Sequence, residues 1–296
     1  MRRTETACLL AGALALWGTV FGGPAARAED LPPVDSIQGP TAQEVEDAVA
    51  EGGSLTGREL YERFLKNRIH SAVQHNRVIS TDPGGHTQES RFWVRWKDFR
   101  IDDKADAHGV MAKTLVKFQE PDDMRHTGFL MVIYDGRDPE QFIYRPSERK
   151  VRRVRLRGAG VMGTDYTFDD IAFQDIEDAD YVRDADAEVD GVPVYVVTAT
   201  LKPFVDSQYA RTQVFLDKET YVPLRARYWD HSEVEIRAMH ADHESIKQFD
   251  DVWVATSSTM ENLKEGTSTT VVVEKLVPDA DITNNLFSTF QLQLRR

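Results

Sequence analysis

The chain has 296 residues, a single cysteine and a formal net charge of −13 at neutral pH. That balance disfavours nucleic acid and anionic membrane surfaces as partners. Cys8 lies near the start, so the rest of the chain has no disulfide, no thiolate metal site and no cysteine nucleophile.

The first residues predict an export signal. Arg2 and Arg3 precede an apolar run from Leu9 to Phe21, and Ala26-Arg27-Ala28 is a small-residue cleavage pattern. The run is too short to span a bilayer, and no later stretch approaches the ~20 apolar residues a spanning helix needs. Cleavage near Ala28 gives a periplasmic protein with a charge of about −15. Cys8 sits too early for a lipid anchor. We expect residues 1–28 to be the signal and 29–296 to form one domain. Pro32, Pro33 and Pro40 then mark a flexible lead.

Two capping boxes follow. Thr41 with Glu44 predicts a helix to Glu51, stopped by Gly52-Gly53. Thr56 with Glu59 predicts an amphipathic helix carrying Leu60, Phe64, Leu65 and Ile69, to about Val73. Beyond Val78 the pattern turns to strands. Phe92, Val94 and Trp96 alternate with polar neighbours; 111–118, 128–134, 141–144 and 151–156 follow. Asp190-Gly191 predicts a tight hairpin. Further strands are expected at 194–201, 213–216, 222–228, 245–249, 252–259 and 269–276. About a dozen strands with short polar turns predict an antiparallel meander that must curl.

The stretch from Gln141 to Ile171 carries the densest signals. Pro146 ends one strand. In the returning strand, alternation puts Val151, Arg153, Arg155 and Arg157 on one face, and Arg152, Val154 and Leu156 on the other. The second face is mostly apolar, so Arg152 is expected at or near the interior with a carboxylate partner, for which Asp165, Asp169 and Asp170 compete. Gly158 to Gly163 formally matches a dinucleotide fingerprint, but the arginine-rich strand before it and Thr-Asp-Tyr-Thr-Phe after it are the wrong context. His240 and His243 sit in a polar turn and do not face together. With no nucleophile elbow and no His-Glu-x-x-His, we expect no enzyme activity, no metal and no cofactor.

Phe142-Ile143-Tyr144-Arg145-Pro146, Val151-Arg152-Arg153-Val154 and Met162-Gly163-Thr164-Asp165-Tyr166-Thr167-Phe168-Asp169-Asp170 together resemble the outer membrane lipoprotein-sorting protein family. That family is similar to the LolA and LolB carriers. The resemblance runs from about Lys113 onward and is weaker in the N-terminal third. It implies a mainly β fold: an open, half-closed antiparallel β-barrel with N-terminal helices as a lid. It also implies periplasmic carriage of lipids or lipoproteins, beside an inner-membrane transporter of the resistance-nodulation-division type. On that reading Phe92, Val94, Trp96, Val116, Phe118, Phe129, Met131, Ile133, Tyr144, Val154, Met162, Phe168 and Phe215 are candidates to line an acyl-chain cavity. Arg152 with Asp165 or Asp170 is the candidate latch at its mouth. A non-catalytic sensor or adaptor, or a lipid hydrolase, are the competing readings.

Overall fold

The structure is a computed structural model that describes residues 55–100, 106–135, 137–155, 160–167, 169–170, 176–278 and 280–294. The expected export signal, the helix at 41–51, Leu156, Arg157 and Phe168 lie outside the described residues.

The Thr56 capping box forms as expected: its hydroxyl accepts the Glu59 N–H while the Glu59 carboxylate accepts the Thr56 N–H at 2.8 Å. Helix α1 (Gly57–Lys66) is shorter than expected. Asn67 ends it by bonding both the N–H and the carbonyl of Trp253. Ile69 drops into the core, and Ser71 already begins strand β1. The expected continuation to Val73 fails because Ala72, Gln74, Asn76 and Val78 are buried at every second residue, the period of a strand.

The strands are β1 (Ser71–Thr81), β2 (Thr87–Asp98), β3 (Val110–Glu120), β4 (Gly128–Tyr134), β5 (Arg137–Arg145), β6 (Lys150–Val154), β7 (Ala179–Arg183), β8 (Ala187–Val189), β9 (Val192–Leu201), β10 (Arg211–Asp217), β11 (Pro223–Trp229), β12 (Glu235–Ala241), β13 (Ile246–Phe249), β14 (Val252–Ala255), β15 (Ser257–Asn262) and β16 (Thr267–Pro278). One fourteen-stranded antiparallel sheet runs β6-β5-β4-β3-β2-β1-β16-β15-β12-β11-β10-β9-β7, with β8 on β9. The sheet does not close. β13 and β14 form a separate ribbon. The run expected at 252–259 breaks into β14 and β15 at Thr256, whose hydroxyl and N–H both go to the Ser245 carbonyl.

Most neighbours in the sheet are neighbours in sequence. Two pairings skip a short insertion, β12 with β15 and β7 with β9. The long-range seam is β1 with β16, with Ala72 opposite Pro278 and Thr81 opposite Ser268. This pairing joins the unit β1–β6 to the unit β7–β16. The predicted hairpin at 190–191 forms between β8 and β9, with Asp190 at φ 52° and Gly191 at φ 81°. Both residues in the left-handed region match the twist of the flanking strands.

The inner face of the sheet carries the main apolar cluster, to which α1 adds Leu60 and Tyr61. Helix α1 packs on β7 and β9. Gly57 starts it against the backbone of β7, where an added Cβ would lie 2.6 Å from the Arg183 nitrogen. On the outer face, the segment leading to helix α2 (Thr289–Gln293) covers β3, β4 and β5 with Ile282, Phe287 and Leu292. Strand β4 is thereby buried on both faces, which explains its unbroken apolar run Phe129 to Ile133.

Candidate functional site

Register places the sequence candidates. Phe92, Val116, Val94, Phe129, Phe118, Met131, Trp96 and Ile133 come from β2, β3 and β4 and all join the inner cluster, each at most 6% exposed. Trp96 also donates its indole N–H to the Ile69 carbonyl at 3.1 Å. Val154 is partly buried and packs on the same cluster. Met162 lies in a short 3₁₀ turn, Val161–Gly163.

Two candidates lie elsewhere. Tyr144 opposes Gly128 and Val151, one residue out of phase with Phe129. It packs on the outer face with Leu115, Leu130 and Leu292. Phe215 opposes Val196 and packs with Val189, Val194 and Leu224 in a separate cluster. Both were singled out because they are aromatic; their strand phase sends them away from the interior.

The expected latch is also corrected. Arg152 opposes Ile143 and shares its inner-facing phase, but β6 is the last strand of the sheet. Its side chain is 61% exposed there, and Nε donates to Glu148 at 2.5 Å. Asp165 has other partners. Its carboxylate accepts the hydroxyls of Thr267 at 2.5 Å and Thr269 at 2.7 Å, and its carbonyl accepts from Arg237. Asp170 accepts the Tyr209 hydroxyl at 2.5 Å, and the Thr167 N–H and hydroxyl at 2.6 and 2.7 Å. Asp165 and Asp170 are thus fastened to Tyr209, just before β10, and to the strands carrying Arg237, Thr267 and Thr269. Asp169 adds to this by accepting from Ser207 and from the Gln208 N–H.

The electrostatics of this anchor are set by burial. Enclosure pushes the Asp170 carboxyl above the ordinary carboxylate range, outweighing the bonds from Tyr209 and Thr167 and the charge of Arg237. Burial also raises the hydroxyls of Tyr166, Tyr209 and Tyr228, and the nearby Asp170 charge pushes in the same direction. Nothing in the sequence marked Tyr209 or Arg237 as partners, since they lie 39 and 72 residues from the groups they hold.

A cleft of about 370 Å³ opens beside this anchor. It lies between the 121–127 turn, the β5–β6 turn and the glycine loop. Met124, Ile143 and Pro146 supply apolar wall; Asp123, Thr127, Arg145 and Ser147 supply polar rim; Gly160 and Gly163 close one side. Ile143 opposes Phe129 on β4 and packs on the inner cluster, so the cleft wall is continuous with the apolar interior. Gly160 is required here, because a Cβ would lie 2.0 Å from the Thr164 carbonyl oxygen. Ile143 and Met124 are not among the sequence candidates, although Ile143 pairs opposite Phe129 and shares its phase. Deeper on the inner face, Asn76 and Thr114 are buried at 0% and 2%, and neither the Asn76 Nδ2 nor the Thr114 hydroxyl has a hydrogen-bond partner among the described residues. Buried polar atoms of this kind are ordinarily satisfied by water or a ligand. No group of three or more His, Cys, Asp or Glu side chains suited to a metal ion occurs among the described residues.

Comparison with known proteins fits this architecture. No curated protein matches the chain. Among solved structures, a DUF1329 family protein from Desulfovibrio piger superposes with a TM-score of 0.71 at 25% identity, over 80% of this chain and 97% of that one. A putative outer membrane lipoprotein-sorting protein domain from Vibrio parahaemolyticus gives 0.69 at 20% identity, over 80% and 98%. A LolA superfamily protein from Nitrosomonas europaea gives 0.61 at 16% identity, over 80% and 100%. A family model whose description is simply "uncharacterized protein" matches residues 111–294, most of the chain. The chain belongs to that family of uncharacterized proteins, and its fold is an open β half-barrel similar to those of the sorting-protein domain and the LolA superfamily protein.

Proposed function

We propose that the protein is a periplasmic carrier that shields acyl chains of lipids or lipoproteins while they move between membranes. One observation carries this reading: a partly apolar cleft is continuous with the apolar inner face of an open half-barrel. At about 370 Å³ it falls within the roughly 300–1,000 Å³ of small-molecule clefts. An acyl chain in water exposes methylenes at about 0.8 kcal/mol each, and an apolar wall recovers that cost without any catalytic group. The likeness to the Vibrio lipoprotein-sorting domain supports this choice of cargo. The export pattern of residues 1–28 supports the compartment. An inner-membrane transporter of the resistance-nodulation-division type completes the reading as the partner that delivers or receives cargo.

The test is native mass spectrometry of protein purified from the periplasm. The expected result is co-purified phospholipid, fatty acid or acylated protein. In Ile143→Asp, which puts a charge in the cleft wall, we expect most of that load to be lost with the thermal transition retained. Lipid-free wild-type protein captured with a membrane protein would instead favour an adaptor, and ester turnover would favour a hydrolase.

A further inference from the structure

The β5–β6 hairpin is electrically unlike the rest of the chain. Residues 137–155 carry seven arginines and lysines against three carboxylates, a net of +4, in a protein whose total is −13. The hairpin is also the end of the sheet: among the described residues no strand pairs with the outer side of β6. Its three carboxylates are already engaged. Glu148 takes Arg152 and Arg145, Glu140 takes Arg153 and Arg137, and Asp138 takes Arg155. Arg149 and Lys150, at the tip, are exposed and have no anionic partner among the described residues. Arg149 sits at φ 49°, which holds the tip in a tight turn.

The same tip borders the cleft, since Arg145, Pro146 and Ser147 are part of its lining. Cations standing clear of the sheet edge therefore flank the opening through which an apolar chain would pass. We propose that the β5–β6 hairpin docks the protein on an anionic phospholipid surface, with Arg149 and Lys150 against the headgroup phosphates and the cleft facing the bilayer. This rests on the carrier reading and adds where cargo is exchanged. The whole-chain charge argues against anionic membranes, but attraction is decided locally. At physiological salt a charge is screened beyond about 8 Å, so the acidic remainder is muted while the tip is in contact. A membrane fits better than an acidic partner strand added to β6. The free cations sit at the tip, whereas those along the strand are already paired with carboxylates of the hairpin.

The experiment is co-sedimentation of the full chain with vesicles of phosphatidylcholine plus phosphatidylglycerol, against phosphatidylcholine alone. We expect binding only to the mixed vesicles and release by salt. The double variant Arg149→Glu/Lys150→Glu should partition on the order of tenfold or more weaker, as loss of surface cations beside anionic lipid predicts. A control with the same charge change at exposed Lys247 and Lys275 should bind like the wild type. Failure of the wild type to bind, equal binding by the tip variant, or equal loss in the control overturns the proposal. Capture by an acidic protein without vesicle binding overturns it as well. Lipid content by mass spectrometry separates the two readings: a lipid-free protein that still sediments keeps the docking surface and removes the carrier function.

Discussion

Asp170 concentrates the chemistry of the inner loop. Its carboxyl is raised by burial and yet accepts three hydrogen bonds. A raised carboxyl binds its proton more tightly when folded than when unfolded. Its contribution to stability is therefore fully present below the unfolded value and is lost as pH rises through the folded one. We expect the unfolding free energy of the wild type, relative to Asp170→Asn, to increase as pH falls from neutrality toward 5, measured by denaturant melts of both proteins across that range. An unchanged difference would remove the buried-carboxylate account. At this scale the sequence was only partly legible. It flagged Asp165 and Asp170 only as candidate partners for Arg152, because that arginine has an inward phase and a buried guanidinium needs a carboxylate. Phase says which face a side chain takes; it does not say that the strand is the last in its sheet. At the edge, Arg152 reaches water and a neighbour four residues away.

Strands and their faces could be read well, because burial at every second residue leaves its mark in the alternation of Phe92, Val94 and Trp96 and of their partners. Helix α1 was overextended because Leu65 and Ile69 fit a helical spacing, while the strand signal of Ala72 to Val78 is diluted by Gln74 and Asn76. Those two polar residues are fully buried, which no pattern of apolar residues announces. The outer segment with α2 was not foreseen either, and its anchor is Lys117. The Lys117 ammonium donates to the carbonyls of Leu292 and Leu294 and faces the Tyr144 ring. Burial, aided by the neighbouring Arg95 charge, lowers the lysine to about 8. We expect Lys117→Met to leave these carbonyls without their donor and to speed amide exchange across 289–294, with a cost of about 1–3 kcal/mol, read by hydrogen-exchange mass spectrometry. The lysine's depressed value sets the sign of its pH dependence. The charged form is the disfavoured one in the fold, so wild type should gain stability relative to Lys117→Met as pH rises from 8 toward 10.5.

For the molecule as a whole, the meander was legible from turn spacing, and the curl followed from strand number. The strand order was not. Nothing local says that β1 pairs with β16 rather than standing as an edge, because both strands carry the same kind of alternation. The pairing brings together residues some two hundred positions apart, and closing so long a loop slows folding. A circular permutant opened between β6 and β7, with β16 joined to β1 by a flexible linker, makes the seam local. We expect it to refold faster than the natural order by stopped-flow fluorescence; an equal or slower rate would mean that the seam does not limit folding.

That seam has a consequence for biogenesis. A polypeptide made from its amino end delivers β1 early and its mate last. During the interval β1 presents a naked row of amides and carbonyls on the far side, ready to zip onto any passing strand. The protein's most hazardous moment is thus the end of its synthesis, and a holdase that occupies this row until β16 emerges would serve it better than one that binds its greasiest segment.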